Sequence, residues 1–540
     1  MSAKETAPQE TSVSSAIPAP VKKLATNKIL WLFAIGQLGW STLSGIISNW
    51  LVYFYMPGES LLAKGHTLFI TQTAVFLGFV TVIGGVTALG RVFDAFTDPW
   101  IASKSDRCKH RLGRRIPFLR FAAIPFGIIT VLVFCAPFEG ISIGNNIWLL
   151  VFVLLFYLAM TCYCTPYNAL IPELGRTQNL RINVSTYISI TYFVGTAFAY
   201  AIPTVAGFLE PSFGSVDSFR VTIAILAVIA VICMLVPAFG INEKVYADTT
   251  PSATPTFASL KKTFKNKHFQ TFVCSDVLYW IALTMFQTGL PFYITELMGL
   301  DASWTTLLFI AMTGMSFLCY PLVNVLAKRL GKKKMVSFAF IFFAIVFAIT
   351  TMVGTMGIPG VAWGFIVAIL AAIPMAILGV LPQAVVADIA EADAITTGEA
   401  RQGMFYATRT FAFKLGQSIS MLAFTSIALI GTGGFGYRLT AIVAAVFCLA
   451  GGLVFMRYRE KDVFAILGEK ETVAEERAEE AAKAAAAAEA AAIVGAAEVA
   501  ESAAFAPAAE AVREAPLDAE AVDDIFEEAE KTAAEIEGLE

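Results

Sequence analysis

The chain of 540 residues is 57% hydrophobic and 15% charged, with a mean hydropathy of +0.70. Soluble globular domains are roughly half apolar and a quarter charged, so an ordinary water-soluble fold is excluded. The net charge of −4 hides an asymmetry: beyond about residue 468 lie 21 of the 42 acidic residues but only 5 of the 38 basic ones, giving a tail of −16 on a body of +12. Because the body's basic residues sit in short loops between apolar runs, they point to anionic lipid headgroups and not to nucleic acid.

The segment 1–27 is polar and ends among Lys22, Lys23 and Lys28. The first apolar run is too long for a signal-peptide core and is read as a span. A span needs about 20 mostly apolar residues, and such runs recur at 28–56, 68–102, 116–137, 147–171, 184–208 and 218–240. A polar stretch, 241–268, separates these from six more at 269–297, 304–327, 334–356, 360–388, 403–430 and 436–458. With the N-terminus inside, Lys104 to Arg115, Arg176 and Arg181, Lys261 to Lys267, Lys328 to Lys334 and Arg457 to Lys461 all fall on the cytoplasmic side, as the positive-inside rule requires. Lys64 is the clear exception and Arg438 sits at a span edge. The expected location is the plasma (inner) membrane, with both termini cytoplasmic.

Six spans, a longer link and six more predict an all-α membrane protein of the major facilitator fold, with halves at 28–240 and 269–460. A weak repeat supports this: Arg-Leu-Gly-Arg-Arg (Arg111 to Arg115) follows span two and Lys-Arg-Leu-Gly-Lys-Lys (Lys328 to Lys333) follows span eight, the second helix of each half. The segment 461–540 is largely Ala and Glu rich, made of strong helix formers without an apolar face, and is read as a cytoplasmic tail, helical or disordered.

A charge at the centre of a span costs at least a few kcal/mol, so intramembrane ionisable residues are functional candidates. In span two, Arg91, Asp94 and Asp98 fall at i, i+3 and i+7, on one helical stripe. Two carboxylates facing one place suit a sodium ion or a shared proton; the alternative is an Arg91 to Asp94 salt bridge with Asp98 near the headgroups. Span eleven carries Arg409 and Lys414, the latter roughly mid-bilayer at a rise of about 1.5 Å per residue. Asp94 and Asp98 are its candidate partners from the other half, with Arg91 a second electrostatic partner of the pair. The eight cysteines and three histidines lie in apolar runs, loops or span edges without metal-ligand spacing, so no cofactor and no metal beyond a transported cation is expected.

The motif from Gly90-Arg91 to Asp98-Pro99 is followed by Ser105-Asp106-Arg107, by Gly113 to Phe118, and by Pro166 to Pro172. Ala387-Asp388-Ile389 comes later with Gly398, Arg401, Gln402 and Gly403, then Lys414-Leu415-Gly416-Gln417. On these residues the chain resembles the glycoside-pentoside-hexuronide:cation symporters, the family of melibiose permease, over about 28–460. The resemblance implies that Asp94 and Asp98 form a cation site with Lys414 as electrostatic partner, in a sodium, proton or lithium symporter. Sugar-recognising members carry carboxylates in spans one and four that hydrogen-bond substrate hydroxyls. Ser41 and Cys164 stand at those places here, which implies a solute other than a galactoside.

Further candidates for lining a central cavity are Gln37 and Trp40 in span one, Asn168 in span four, and Asp276, Trp280 and Gln287 in span seven. An amide or tryptophan in a membrane helix also serves as an interhelical hydrogen bond or a packing residue, and Asp276 has the alternative of a hydrated place near the cytoplasmic surface. The leading function is cation-coupled (sodium or proton) symport of a small polar solute, a glycoside, sugar or uronide, with a single chain as the working unit. Lysophospholipid symport on the same fold is the alternative, followed by a non-transporting receptor. No nucleophile with a base, phosphate loop or metal-ligand spacing points to an enzyme.

Overall fold

The computed structural model describes residues 23–76, 80–246, 262–398 and 402–468. Most of the N-terminal segment, the middle of the link between halves, Arg401 and the Ala/Glu-rich tail beyond 468 lie outside the described residues.

A bilayer core offers no water to backbone N–H and C=O groups, so long apolar runs must close their own hydrogen bonds as helices. In the first half these are α1 (Asn27–Tyr55), α2 (Val82–Asp106), α3 (Ile116–Phe134), α4 (Ile143–Leu174), α5 (Gln178–Tyr200) and α6 (Ile202–Gly240). In the second they are α7 (Lys267–Phe292), α8 (Trp304–Leu330), α9 (Lys332–Thr351), α10 (Gly360–Thr397), α11 (Gln402–Ile427) and α12 (Phe435–Phe455). Four helix starts carry side-chain caps: Thr81 Oγ1 accepts from Gly84 N, Ser142 Oγ from Gly144 N, Thr177 Oγ1 from Leu180 N, and Asn266 Oδ1 from Phe269 N.

Among the described residues, nine helical stretches are long and apolar enough to cross a membrane, one being the continuous Asn179–Gly240 that takes in α5 and α6. The helices α2 and α11 are outside that set; they carry Arg91, Asp94 and Asp98 on one and Arg409 and Lys414 on the other. The expected start of span two at residue 68 is corrected. Ala74–Phe76 pairs antiparallel with Val80–Thr81, and helix begins only at Val82. Val75, Phe76, Val80 and Thr81 are β-branched or aromatic and favour a strand, and the Thr81 cap then fixes where α2 starts.

The packing repeats between halves. α1 lies on α5 and α6 as α7 lies on α11 and α12; α3 meets α4 and α6 as α9 meets α10 and α12; α2 packs on α4 as α8 packs on α10. The Arg-Leu-Gly repeat belongs to this symmetry. Gly113 and Gly331 both have positive φ, 118° and 86°, a region that favours glycine, and each turn exposes the N-terminal amides of the next helix to a glutamate that follows the sixth helix of its half. The Glu243 carboxylate accepts from Arg114 N (2.8 Å), Arg115 N (2.8 Å) and Ile116 N (2.9 Å). Glu460 Oε1 accepts from Lys332 N (2.8 Å) and Lys333 N (3.2 Å). A carboxylate at a helix N-terminus also meets the favourable end of the macrodipole.

Glu243 is fully buried, so Glu243→Ala leaves three amides without an acceptor. The expected loss is about 2–3 kcal/mol, against about 1 kcal/mol for Glu460→Ala at its half-exposed position. Thermal unfolding in detergent checks this: Glu243→Ala lowers Tm the more, and equal shifts would contradict the assignment.

Candidate functional site

The centre of the bundle is built from α2, α4 and α11. Asp94 and Asp98, one turn apart on α2, face Thr161 and Thr165, one turn apart on α4. Thr161 Oγ1 donates to Asp94 Oδ1 at 2.8 Å and Thr165 Oγ1 to Asp98 Oδ1 at 3.1 Å. Thr97 Oγ1 donates to the Asp94 carbonyl at 3.1 Å and lies 3.3 Å from Thr161 Oγ1. The second oxygen of each carboxylate meets α11: Lys414 Nζ lies 2.8 Å from Asp94 Oδ2 and 2.5 Å from Asp98 Oδ2. Asp94 is 0% exposed, whereas Asp98 remains partly accessible. One ammonium against two carboxylates leaves an excess negative charge among hard oxygen donors, an arrangement that can receive a monovalent cation or a proton.

Arg91 is placed away from this cluster. Its Nη2 donates to Ser48 Oγ on α1 at 3.0 Å, its guanidinium lies over the Tyr157 ring at 5.2 Å, and among the described residues it makes no ion pair with Asp94. The hydrated reading of Asp276 is also corrected. Asp276 and Arg409 are 2% and 6% exposed and form a two-pronged pair, Arg409 Nε to Oδ2 and Nη2 to Oδ1, both at 2.8 Å. Both charges lie inside the second half, where each neutralises the other, so Asp276 is a structural partner of Arg409 and not a free carboxylate.

The remaining sequence candidates divide. Trp40 and Trp280 are half-buried, each with an indole N–H lacking a hydrogen-bond partner among the described residues, and Trp280 stacks on Phe413 at 4.5 Å. Gln287 is half-buried on the same helix as Trp280. Cys164 is buried on α4 between Thr161 and Thr165. Gln37 is buried in α1. Ser41 is buried too and donates to its own helix at Leu38 O, while Asn168 is exposed at the basic end of α4. Sequence reasoning missed Thr161 and Thr165, whose one signal is their spacing of four on α4.

The halves meet closely at the end of the bundle opposite the Arg-Leu-Gly turns. Lys64 Nζ pairs with Asp301 Oδ2 at 2.5 Å, Ser60 Oγ donates to Glu296 Oε1 at 2.6 Å, and Thr204 and Thr306 hydroxyls lie 3.0 Å apart. Tyr200 stacks on Phe309 at 4.0 Å and Tyr53 meets Phe292 at 5.2 Å. At the basic end, Arg115 with Asp106 and Lys332 with Asp388, both at 2.6 Å, each join elements of a single half.

The sequence model of the family described as MFS/sugar transport protein matches residues 32–459. The chain is similar, at 23% identity over 332 residues, to the isoprimeverose transporter of Lactiplantibacillus pentosus, across 59% of this chain and 64% of that protein. It is similar at 25% identity over 286 residues to sodium-dependent lysophosphatidylcholine symporter 1 of Xenopus tropicalis, across 46% of this chain and 53% of that one. These matches therefore cover between about half and two thirds of the relatives' own length. The crystal structure of the nucleoside transporter NupG superposes with a TM-score of 0.55 at 10% identity, covering 80% of this chain and 98% of that one. At that identity the likeness speaks for the fold, which is the major facilitator fold.

The Asp276 and Arg409 pair gives a direct test of the burial reading. Asp276→Asn or Arg409→Gln alone strands a buried charge and is expected to cost about 3–5 kcal/mol. The double variant is expected to cost clearly less than the two added together. Chemical denaturation of all four proteins measures the cycle, and additive losses would contradict the pairing.

Proposed function

The chain belongs to the MFS/sugar transport protein family, and from that premise we propose that it is a cation-coupled symporter of a small polar solute, a glycoside, sugar or uronide, working by alternating access. The observation that carries this reading is the contact of Lys414 Nζ with both Asp94 Oδ2 and Asp98 Oδ2. Lys414 belongs to one half and the aspartates to the other, so whatever competes for those oxygens acts on the joint between halves. A sodium ion or a proton does compete, because it supplies the charge that the ammonium otherwise provides. The Xenopus relative is named a sodium-dependent symporter, which supports a coupling cation and favours sodium as the first ion to try.

Alternating access requires two global states that a ligand binds with different affinity. With the basic loops on the cytoplasmic side, the contacts of Lys64 with Asp301 and Ser60 with Glu296 would close the outer end, as an inward-facing state requires. Cation and solute binding at the centre would draw the inner ends of the two halves together, and the outer contacts between halves are the ones that give way.

The lysophospholipid alternative rests on the likeness to the Xenopus relative. An apolar cavity of about 530 Å³ lined by Phe121, Pro125, Leu155 and Cys162 lies between α3 and α4, but these helices belong to one half, so it offers no route between the halves.

Asp94→Asn and Asp98→Asn are each expected to abolish cation-gradient-driven uptake into proteoliposomes while the purified proteins keep a monodisperse elution profile and full helical circular dichroism. Uptake of radiolabelled sugars and uronides under sodium and proton gradients measures this, and a variant that still accumulates solute against its gradient would sink the assignment.

A further inference from the structure

The helix α9 opens with three lysines, Lys332, Lys333 and Lys334. Lys332 is neutralised, its Nζ lying 2.6 Å from Asp388 Oδ2. Lys333 and Lys334 have no carboxylate within ion-pair distance among the described residues, and neither has Lys461, in the segment that follows α12. These three ammoniums rim a cavity of about 880 Å³ between the start of α9 and the end of α12. Two acidic residues also line it, and both are engaged elsewhere. Glu460 accepts from the backbone of Lys332 and Lys333, and Asp462 Oδ2 lies 3.7 Å from Arg459 Nη1. The rim therefore carries an uncompensated positive charge.

Behind the rim the cavity becomes apolar, with Phe338, Ile341 and Met456 in its wall and exposed at the helix surface. Lys334, Ser337, Phe338 and Ile341 fall at i, i+3, i+4 and i+7, so one face of α9 runs from charge through hydroxyl to apolar surface over about 10 Å of rise. The hydroxyl is unusual. Ser337 is 9% exposed, lines the cavity, and its Oγ has no hydrogen-bond partner among the described residues. A helical serine ordinarily bonds back to the preceding turn, as Ser316 does to Met312 O at 3.0 Å. A buried hydroxyl without that bond calls for a partner from outside the chain. The cavity between α3 and α4 has similar apolar walls, but no charged side chain lines it, so cations at the rim are particular to the α9 and α12 cavity.

We propose that this cavity binds an anionic glycerophospholipid of the adjoining leaflet. Lys333, Lys334 and Lys461 hold its phosphate, an ester oxygen accepts from Ser337 Oγ, and an acyl chain lies along Phe338, Ile341 and Met456. A free phosphate would use the lysines and leave the apolar wall uncovered; an uncharged lipid would cover the wall and leave three ammoniums uncompensated. An amphiphile with a negative head satisfies the charge, the hydroxyl and the wall in the order in which α9 presents them. Basic pockets between membrane helices at the cytoplasmic face receive anionic headgroups for this reason. With the basic loops cytoplasmic, the site would face the leaflet that carries them. The inference is independent of the solute and of the coupling ion.

Thermal unfolding of the full-length protein, delipidated in a nonionic detergent, tests the proposal as phosphatidylglycerol, phosphatidylcholine or sn-glycerol 3-phosphate is added, because a ligand of the folded state raises Tm. Native mass spectrometry counts the lipids retained. The variant Lys333→Gln/Lys334→Gln/Lys461→Gln removes the rim, and Arg107→Gln/Lys109→Gln/Arg111→Gln removes as many exposed charges from the corresponding loop of the first half. Helical circular dichroism shows that both are folded. The expected result is a rise in Tm with phosphatidylglycerol and a single retained lipid in the wild type and in the first-half variant, with the half-saturating concentration raised at least about tenfold when the rim is removed. No response to phosphatidylglycerol, an equal response to phosphatidylcholine, or glycerol phosphate acting at the same concentration as the lipid would overturn the proposal. Equal losses in the two variants would overturn it too, since they would mark a diffuse attraction of basic loops to anionic lipid.

Discussion

The ammonium of Lys414 between Asp94 and Asp98 is the contact on which the rest of the arrangement turns. Two carboxylates and a lysine inside a span would each be expensive alone, and they are tolerable because α2, α4 and α11 bring them within hydrogen-bond range of one another and of Thr161 and Thr165. The bridge is also lopsided. One oxygen of each aspartate is held by a threonine of its own half, and the other is lent to a lysine of the opposite half. Under the proposed function, that division would let the carboxylates stay in place while the lysine leaves.

The two other central charges are arranged by contrast. Asp276 and Arg409 satisfy each other within one half, so the second half carries a neutralised pair beside the contact between halves. Arg91 is held by a hydroxyl and a ring, interactions too weak to cancel its charge. A negative excess at the aspartates and a positive excess at Arg91 therefore sit about a helical turn apart.

Much of this was legible in the sequence because a charge in an apolar run is conspicuous. Asp94, Asp98 and Lys414 stand out for that reason, and the helical runs stand out by length. The pairing of Asp276 with Arg409 was not legible: the two lie in different spans, and only the packing of α7 on α11 brings them together. The threonines were hidden because threonine in a helix ordinarily bonds back to the preceding turn, as Thr130 and Thr222 do here, and only their spacing of four sets Thr161 and Thr165 apart in the sequence. Glu243 and Glu460 were hidden in polar links, although the Arg-Leu-Gly repeat pointed to the two turns they cap. The start of α2 was misplaced because a short β-branched segment is as apolar as the helix it precedes.

The measurement that bears most directly on the central claim is cation-induced thermal stabilisation of the purified protein, comparing sodium with potassium across several pH values, with Asp94→Asn and Lys414→Gln alongside the wild type. The account predicts a rise in Tm with sodium, or with falling pH if the proton is the coupling ion, that is absent in Asp94→Asn. A wild-type protein indifferent to both sodium and pH, or an Asp94→Asn protein stabilised as strongly as the wild type, would contradict it.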